Sequence, residues 1–180
     1  MAATPNDILG FWRHAGPSQW FGAKPRFDEA IRLKFEGVHH AAARGEYDHW
    51  AETPEGTLAL LILLDQFPRN LYRKSAHAFA TDAKALAIAH EAADKGWHRQ
   101  VEKTLAAFML LPFEHSEDLG DQDRGVLLAG ELGDSDSLKW HQIHRDVIVR
   151  FGRFPHRNPM LGRATTAEEQ AFLDDGGFAG

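Results

Sequence analysis

The chain contains no cysteine. That absence excludes disulfides, thiolate nucleophiles, thiolate-held iron–sulfur clusters and cysteine-based zinc sites. Long apolar runs are missing too. The longest, "LALLILL" at 58–64, has seven residues, against about 20 for a membrane-spanning helix, so it reads as a buried helix segment and no membrane partner is expected. No stretch alternates apolar and polar residues with β-branched enrichment, so no sheet is expected. The opening "MAATPNDILGFW" lacks a basic stretch leading into an apolar one and is not a secretory signal, which makes the cytoplasm the expected location. Positive charge is also short. Lys and Arg total 20 against 26 Asp and Glu, a net charge of −6, and a nucleic-acid binder would need a basic face. There is no Gly-x-Ser-x-Gly elbow and no phosphate-cradling Gly-rich loop ending in Lys-Ser/Thr.

What is present is helical spacing. At 180 residues, 43% hydrophobic and 26% charged, the chain is long enough for one domain with a real core. No composition shift marks a boundary, so residues 1–180 are read as a single helical domain. Thr4-Pro5 and Thr53-Pro54 are start signals, and Pro25 opens a helix with Phe27, Ile31, Phe35 and Val38 on one face. Ser75 is placed as the cap of a helix closed by Gly96. Thr166 and Glu169 form a capping box before a short final helix. Pro68 and Pro112 are read as helix breaks. The expected fold is all-α: seven to nine helices in antiparallel pairs. The ending "DDGGFAG" is expected to be loose.

The polar residues concentrate in two similar segments, "FPRN" at 67–70 and "FGRFPHRNPMLGR" at 151–163. Four arginines, Arg150, Arg153, Arg157 and Arg163, fall within fourteen residues of the second region, with no lysine among them. Guanidinium forks match carboxylate or phosphate two bonds at a time. If both proline segments are bent out of helix, their side chains can converge. The expected site is therefore a pocket for a small anionic ligand built from Arg69, Asn70, His115, His144, Arg150, Arg153, His156, Arg157 and Asn158. Arg69, Arg153 and Arg157 would hold the anion; His115, Glu117, His144 and His156 are the candidates for proton transfer, since a histidine beside a carboxylate titrates near neutral pH.

A competing role for the arginines is internal. Glu114, Glu117, Asp118, Asp121 and Asp123 could neutralise them and tie the C-terminal loop down, because structural ion-pair networks imitate functional sites. Ser116 reads as a helix cap with Glu117 and Asp118 in the first turn. Asp65 is expected to pair with Arg69. Two further functional readings compete. A helical groove lined by Trp20, Phe21, Trp50 and Trp97 would receive a peptide or protein partner. A metal-dependent enzyme would use His141 and His144, three apart on one helix, with Asp65, Glu117 or Asp146. Glu36-x-x-His39 and Glu46-x-x-His49 imitate a diiron pattern, but Gly45 separates them and the second falls in a loop. The expected site set contains no metal ligand, and no organic cofactor can be read.

The stretches "ILGFW", "LLILLDQFPRNLYR", "AFATDAKALAIA", "FMLLPFEHSEDL" and "HRDVIVRFGRFPHRNPMLGR" together resemble a bacterial family, that of the domain of unknown function 924. The likeness runs in order along nearly the whole chain. It implies an all-helical fold similar to a right-handed tetratricopeptide-repeat superhelix, although no Trp-Leu-Gly-Tyr-Ala-Pro repeat consensus is legible. It implies no reaction, and no catalytic residue is carried over from it.

Overall fold

The structure, a computed structural model, describes residues 2–179. Among them every regular element is helical, as the spacing predicts. The chain forms two compact units, Met1–Pro112 and Phe113–Gly180, where the composition marks no boundary. No helix among the described residues is long and apolar enough to cross a membrane.

In the first unit, α1 (Pro5–Ala15), α2 (Pro17–Trp20) and α3 (Pro25–Ala43) each begin on a proline, whose missing N–H costs nothing in a first turn. α4 (Pro54–Leu61) starts where Thr53 accepts from the Gly56 N–H. It does not stop before Pro68. A π-helical turn at Ile62–Gln66 intervenes, the Phe67 N–H donating to the Ile62 carbonyl, and α5 (Phe67–Leu71) carries Pro68 in its own first turn. The wider turn absorbs the ring and the missing donor that would otherwise break a helix. "FPRN" is therefore helical, not a bent loop. α6 (Asp82–Asp94) follows a separate 3₁₀ turn, Ala76–Phe79, and it is this turn that Ser75 caps.

The "LALLILL" run lies wholly in the core. Around Trp12, itself fully buried, gather Trp20, Phe27, Phe67 and Phe108 with ring centroids 5.4–6.0 Å away. Each such side chain contributes about 1.5–3 kcal/mol on burial. Trp20 and Trp50 are buried here, so they line no surface groove.

The second unit begins inside α7 (Leu111–Glu114), where Pro112 sits in the first turn and so opens a helix where a break was expected. α8 (Leu119–Leu132) is capped by Asp118, which accepts from the Gly120 and Asp121 N–H groups, two residues later than the Ser116 cap expected. Gly133, at φ 67°, closes α8 in the left-handed conformation that glycine adopts freely. α9 (Ser135–Phe151) then packs back on α8 as a helical hairpin. A 3₁₀ turn, Pro155–Arg157, and α10 (Ala167–Asp174) complete the unit; Thr166 and Glu169 make the expected capping box. The helical spacing predicts Trp140, Ile143, His144, Val147 and Phe151 on the inner face of α9, and His144 and Val147 are buried as expected. His141, His144, Val147 and Ile148 are buried, whereas Trp140 is 48% exposed. Of the ending expected to be loose, Gly180 lies outside the described residues, and Phe178 is packed: its ring lies on His144 with centroids 4.1 Å apart and joins the cluster of Val147, Ile148 and Phe154.

Candidate functional site

Most of the arginines meet carboxylates within their own unit. In the first unit, Arg69 lays its fork on both oxygens of Asp82 at 2.9 Å and approaches Asp65 at 3.3 Å. The expected Asp65–Arg69 pair is present, with Asp65 buried. Asn70 donates to Asp28 at 2.8 Å and accepts from Gln66 at 3.0 Å, so it holds helices together. Glu36 bonds Arg32 and Tyr72 while His39 turns to the Leu63 carbonyl, so this pair does not form half of a diiron site.

In the second unit, Arg150 reaches Glu168 at 3.1 Å, not Asp146. Arg153 grips Glu169 with two bonds of 2.6 and 2.9 Å. Arg163 grips Glu117 with two of 2.6 and 2.9 Å. Glu117 also accepts the Phe154 N–H at 2.8 Å. Burial would push the Glu117 carboxyl up, but the Arg163 fork and the Phe154 N–H hold it below the ordinary range. Its oxygens are engaged in fastening the loop, which removes it as a proton-transfer candidate. Asn158, fully buried, donates to Glu169 and accepts from Arg163 at 3.0 Å. Arg150, Arg153, Asn158 and Glu117 thus serve the internal clamp, and the expected anion set contracts to His115, His144, His156 and Arg157.

Two of those four, His115 and His144, lie beside a group the anion set omitted. Glu114, at the end of α7, is 6% exposed. One oxygen is 2.9 Å from His141 Nδ1 and the other 3.4 Å from His144 Nε2. His115, half-buried, follows it in the chain, its ring centroid 6.1 Å from that of His144. Burial would raise the Glu114 carboxyl, but the hydrogen bond from His141, the largest of the opposing influences, holds it below the ordinary range. Burial pushes His144 below the ordinary histidine range, against the attraction of Glu114. Its Nδ1 lies 2.8 Å from the Trp140 carbonyl. A carbonyl only accepts, so Nδ1 carries the proton and the neutral ring presents an Nε2 lone pair to Glu114.

The same histidine borders a second feature. The ring of Phe154, fully buried, is approached by His144 at 5.6 Å, by His156 at 5.7 Å and by the Arg157 guanidinium carbon at 4.4 Å. Arg157 is itself buried. Phe178 closes on His144 and His156. Ser116 gives its hydroxyl to Asp121 at 2.7 Å, which leaves it a turn-fixing role. The sequence signal that could have found Glu114 is the three-residue step between His141 and His144. Two histidines turned to a core through one helix face need a buried acidic partner.

The comparisons with known proteins bear on the family and the fold. A solved structure of a protein of unknown function, ATU0120 from Agrobacterium tumefaciens, is similar to this chain. The two are 45% identical, superimpose with a TM-score of 0.91, and the match covers 95% of this chain and 97% of that one. None of the curated proteins compared matches. The profile described as "Bacterial protein of unknown function (DUF924)" matches residues 8–177. Nearly the whole length is covered, and the chain belongs to the DUF924 family.

Proposed function

We propose that the second unit binds a small anionic ligand, a carboxylate or phosphate compound, at His156 and Arg157, beside His144. The observation that carries this reading is the gathering of three basic side chains around one buried ring, Phe154, in an acidic chain. Arg157 is held there with its guanidinium removed from bulk water. In such surroundings a charge-assisted bond to an anion is stronger than at an exposed site. The neighbouring arginines, by engaging Glu117, Glu168 and Glu169, fix the loop that presents it.

The test is thermal unfolding with inorganic phosphate against chloride at equal ionic strength. A ligand that binds the folded chain stabilises it by about 2.7 kcal/mol at a hundred times its Kd. The expected result is a rise in Tm with phosphate that Arg157→Gln abolishes and His156→Ala reduces. Because Arg157 is buried, His156→Ala serves as the variant that keeps the fold. An equal rise with chloride, or an undiminished phosphate response in both variants, overturns the reading.

A further inference from the structure

We propose that Glu114, His115 and His144 together hold a divalent first-row transition-metal ion. One ligand atom from each lies within 4.8 Å of the other two, and among the described residues this is the one such trio. Two imidazoles and one carboxylate suit zinc, iron, cobalt, nickel or manganese; magnesium and calcium take oxygen ligands.

Three features of the geometry favour an ion over a chance cluster. The first is direction. With Nδ1 held 2.8 Å from the Trp140 carbonyl, His144 turns Nε2 toward Glu114 Oε1, 3.4 Å away. A cation placed between an imidazole nitrogen and a carboxylate oxygen at this separation can engage both. A proton would bridge two atoms, whereas a metal ion also engages the third, His115. The second is spacing. Two ligands each about 2.1 Å from zinc at a tetrahedral angle lie about 3.4 Å apart, and Nε2 and Oε1 already stand at 3.4 Å. The third is support. The other Glu114 oxygen is 2.9 Å from His141 Nδ1, while His144 is oriented by a backbone carbonyl. Outer partners of this kind fix the ring and carboxylate planes of ligating groups.

Three protein ligands leave a coordination position open, as at catalytic sites and unlike closed structural ones. His144 also borders Phe154 and, through it, Arg157. A phosphate or carboxylate oxygen at that open position would meet both charges. This last step rests on the anion reading above; the ion site does not.

The experiment is calorimetric titration of the metal-stripped full-length protein with Zn(II), Mn(II) and Mg(II), with Co(II) absorption as a geometric probe. One equivalent of Zn(II) per chain, no Mg(II) binding and visible Co(II) bands of four- or five-coordinate type are expected. His115→Ala, at a half-buried position, is expected to keep the Tm of the metal-free protein. It should weaken Zn(II) binding by more than about 100-fold, more than loss of an outer partner does. Absence of Zn(II) and Co(II) binding, or unchanged affinity in His115→Ala, overturns the ion site. Phosphate titration of stripped and loaded protein separates the two proposals. Metal binding with no phosphate response in either form sinks the anion reading alone. A phosphate response in protein that binds no metal sinks the ion site alone.

Discussion

Glu114→Ala is expected to lower the free energy of unfolding by about 1–3 kcal/mol, the range for leaving a buried polar group without its partner. Glu114 and both histidines facing it are buried. Removing the carboxylate takes from His141 Nδ1 a partner 2.9 Å away, while the Ser137 carbonyl, 3.0 Å away, remains. Glu114→Gln separates charge from shape. Its amide oxygen can still accept from His141, and its NH₂ can donate to the His144 Nε2 lone pair. The expected loss is therefore less than half that of alanine. Urea unfolding followed by circular dichroism measures both. A glutamine variant as damaged as the alanine variant would contradict the tautomer assigned to His144, because a protonated Nε2 would clash with the new NH₂.

The second large effect concerns the clamp. Glu169 is almost completely buried and accepts from Arg153 twice, from Asn158 at 3.2 Å and from the Thr166 N–H at 2.7 Å. The Arg153 hydrogen bonds, more than any other influence, bring its carboxyl down to about 2 from 4.5. A carboxyl depressed in the folded state stabilises fully above the unfolded value. Its contribution is then lost as pH falls from about 4.5 toward about 2. Glu169→Gln should flatten that part of the stability–pH curve and cost about 2 kcal/mol at neutral pH, the magnitude of bonds to a charged group. Glu114 and Glu117 are shifted the same way, so a residual acid slope remains in the variant. A curve identical to that of the unaltered protein would contradict the clamp.

The helical starts were legible because their chemistry is local. Thr53 with Pro54, Pro25, and Thr166 with Glu169 satisfy orphan N–H groups from within a few residues, and the structure uses all three. The apolar run at 58–64 was legible for the same reason. Pro68 misled because the remedy, a π turn five residues long, leaves no mark in composition. Ser116 misled because the helix starts two residues later: Ser116 accepts the Asp118 N–H, and Asp118 caps the helix with a charged acceptor for the Gly120 and Asp121 N–H groups.

Part of the candidate site was visible and part was not. That "FGRFPHRNPMLGR" carries chemistry follows from its residues, but whether an arginine meets an acid or a ligand depends on distant partners. Glu168, Glu169 and Glu117 settle that question for Arg150, Arg153 and Arg163. On the inner face of α9 His144 and Val147 were placed correctly, but Trp140 was misjudged because it outweighs His141 in hydrophobicity. In the folded chain a buried carboxylate reverses that order: His141 turns in to meet Glu114, and Trp140 stays 48% exposed.

The most direct measurement is anomalous X-ray diffraction from crystals of the full-length protein grown with Co(II). The account predicts a single strong anomalous peak bonded to Glu114, His115 and His144 Nε2, with the His144 Nδ1–H still on the Trp140 carbonyl. Crystals in which cobalt sits elsewhere, while Glu114 and His144 contact each other directly, would contradict it.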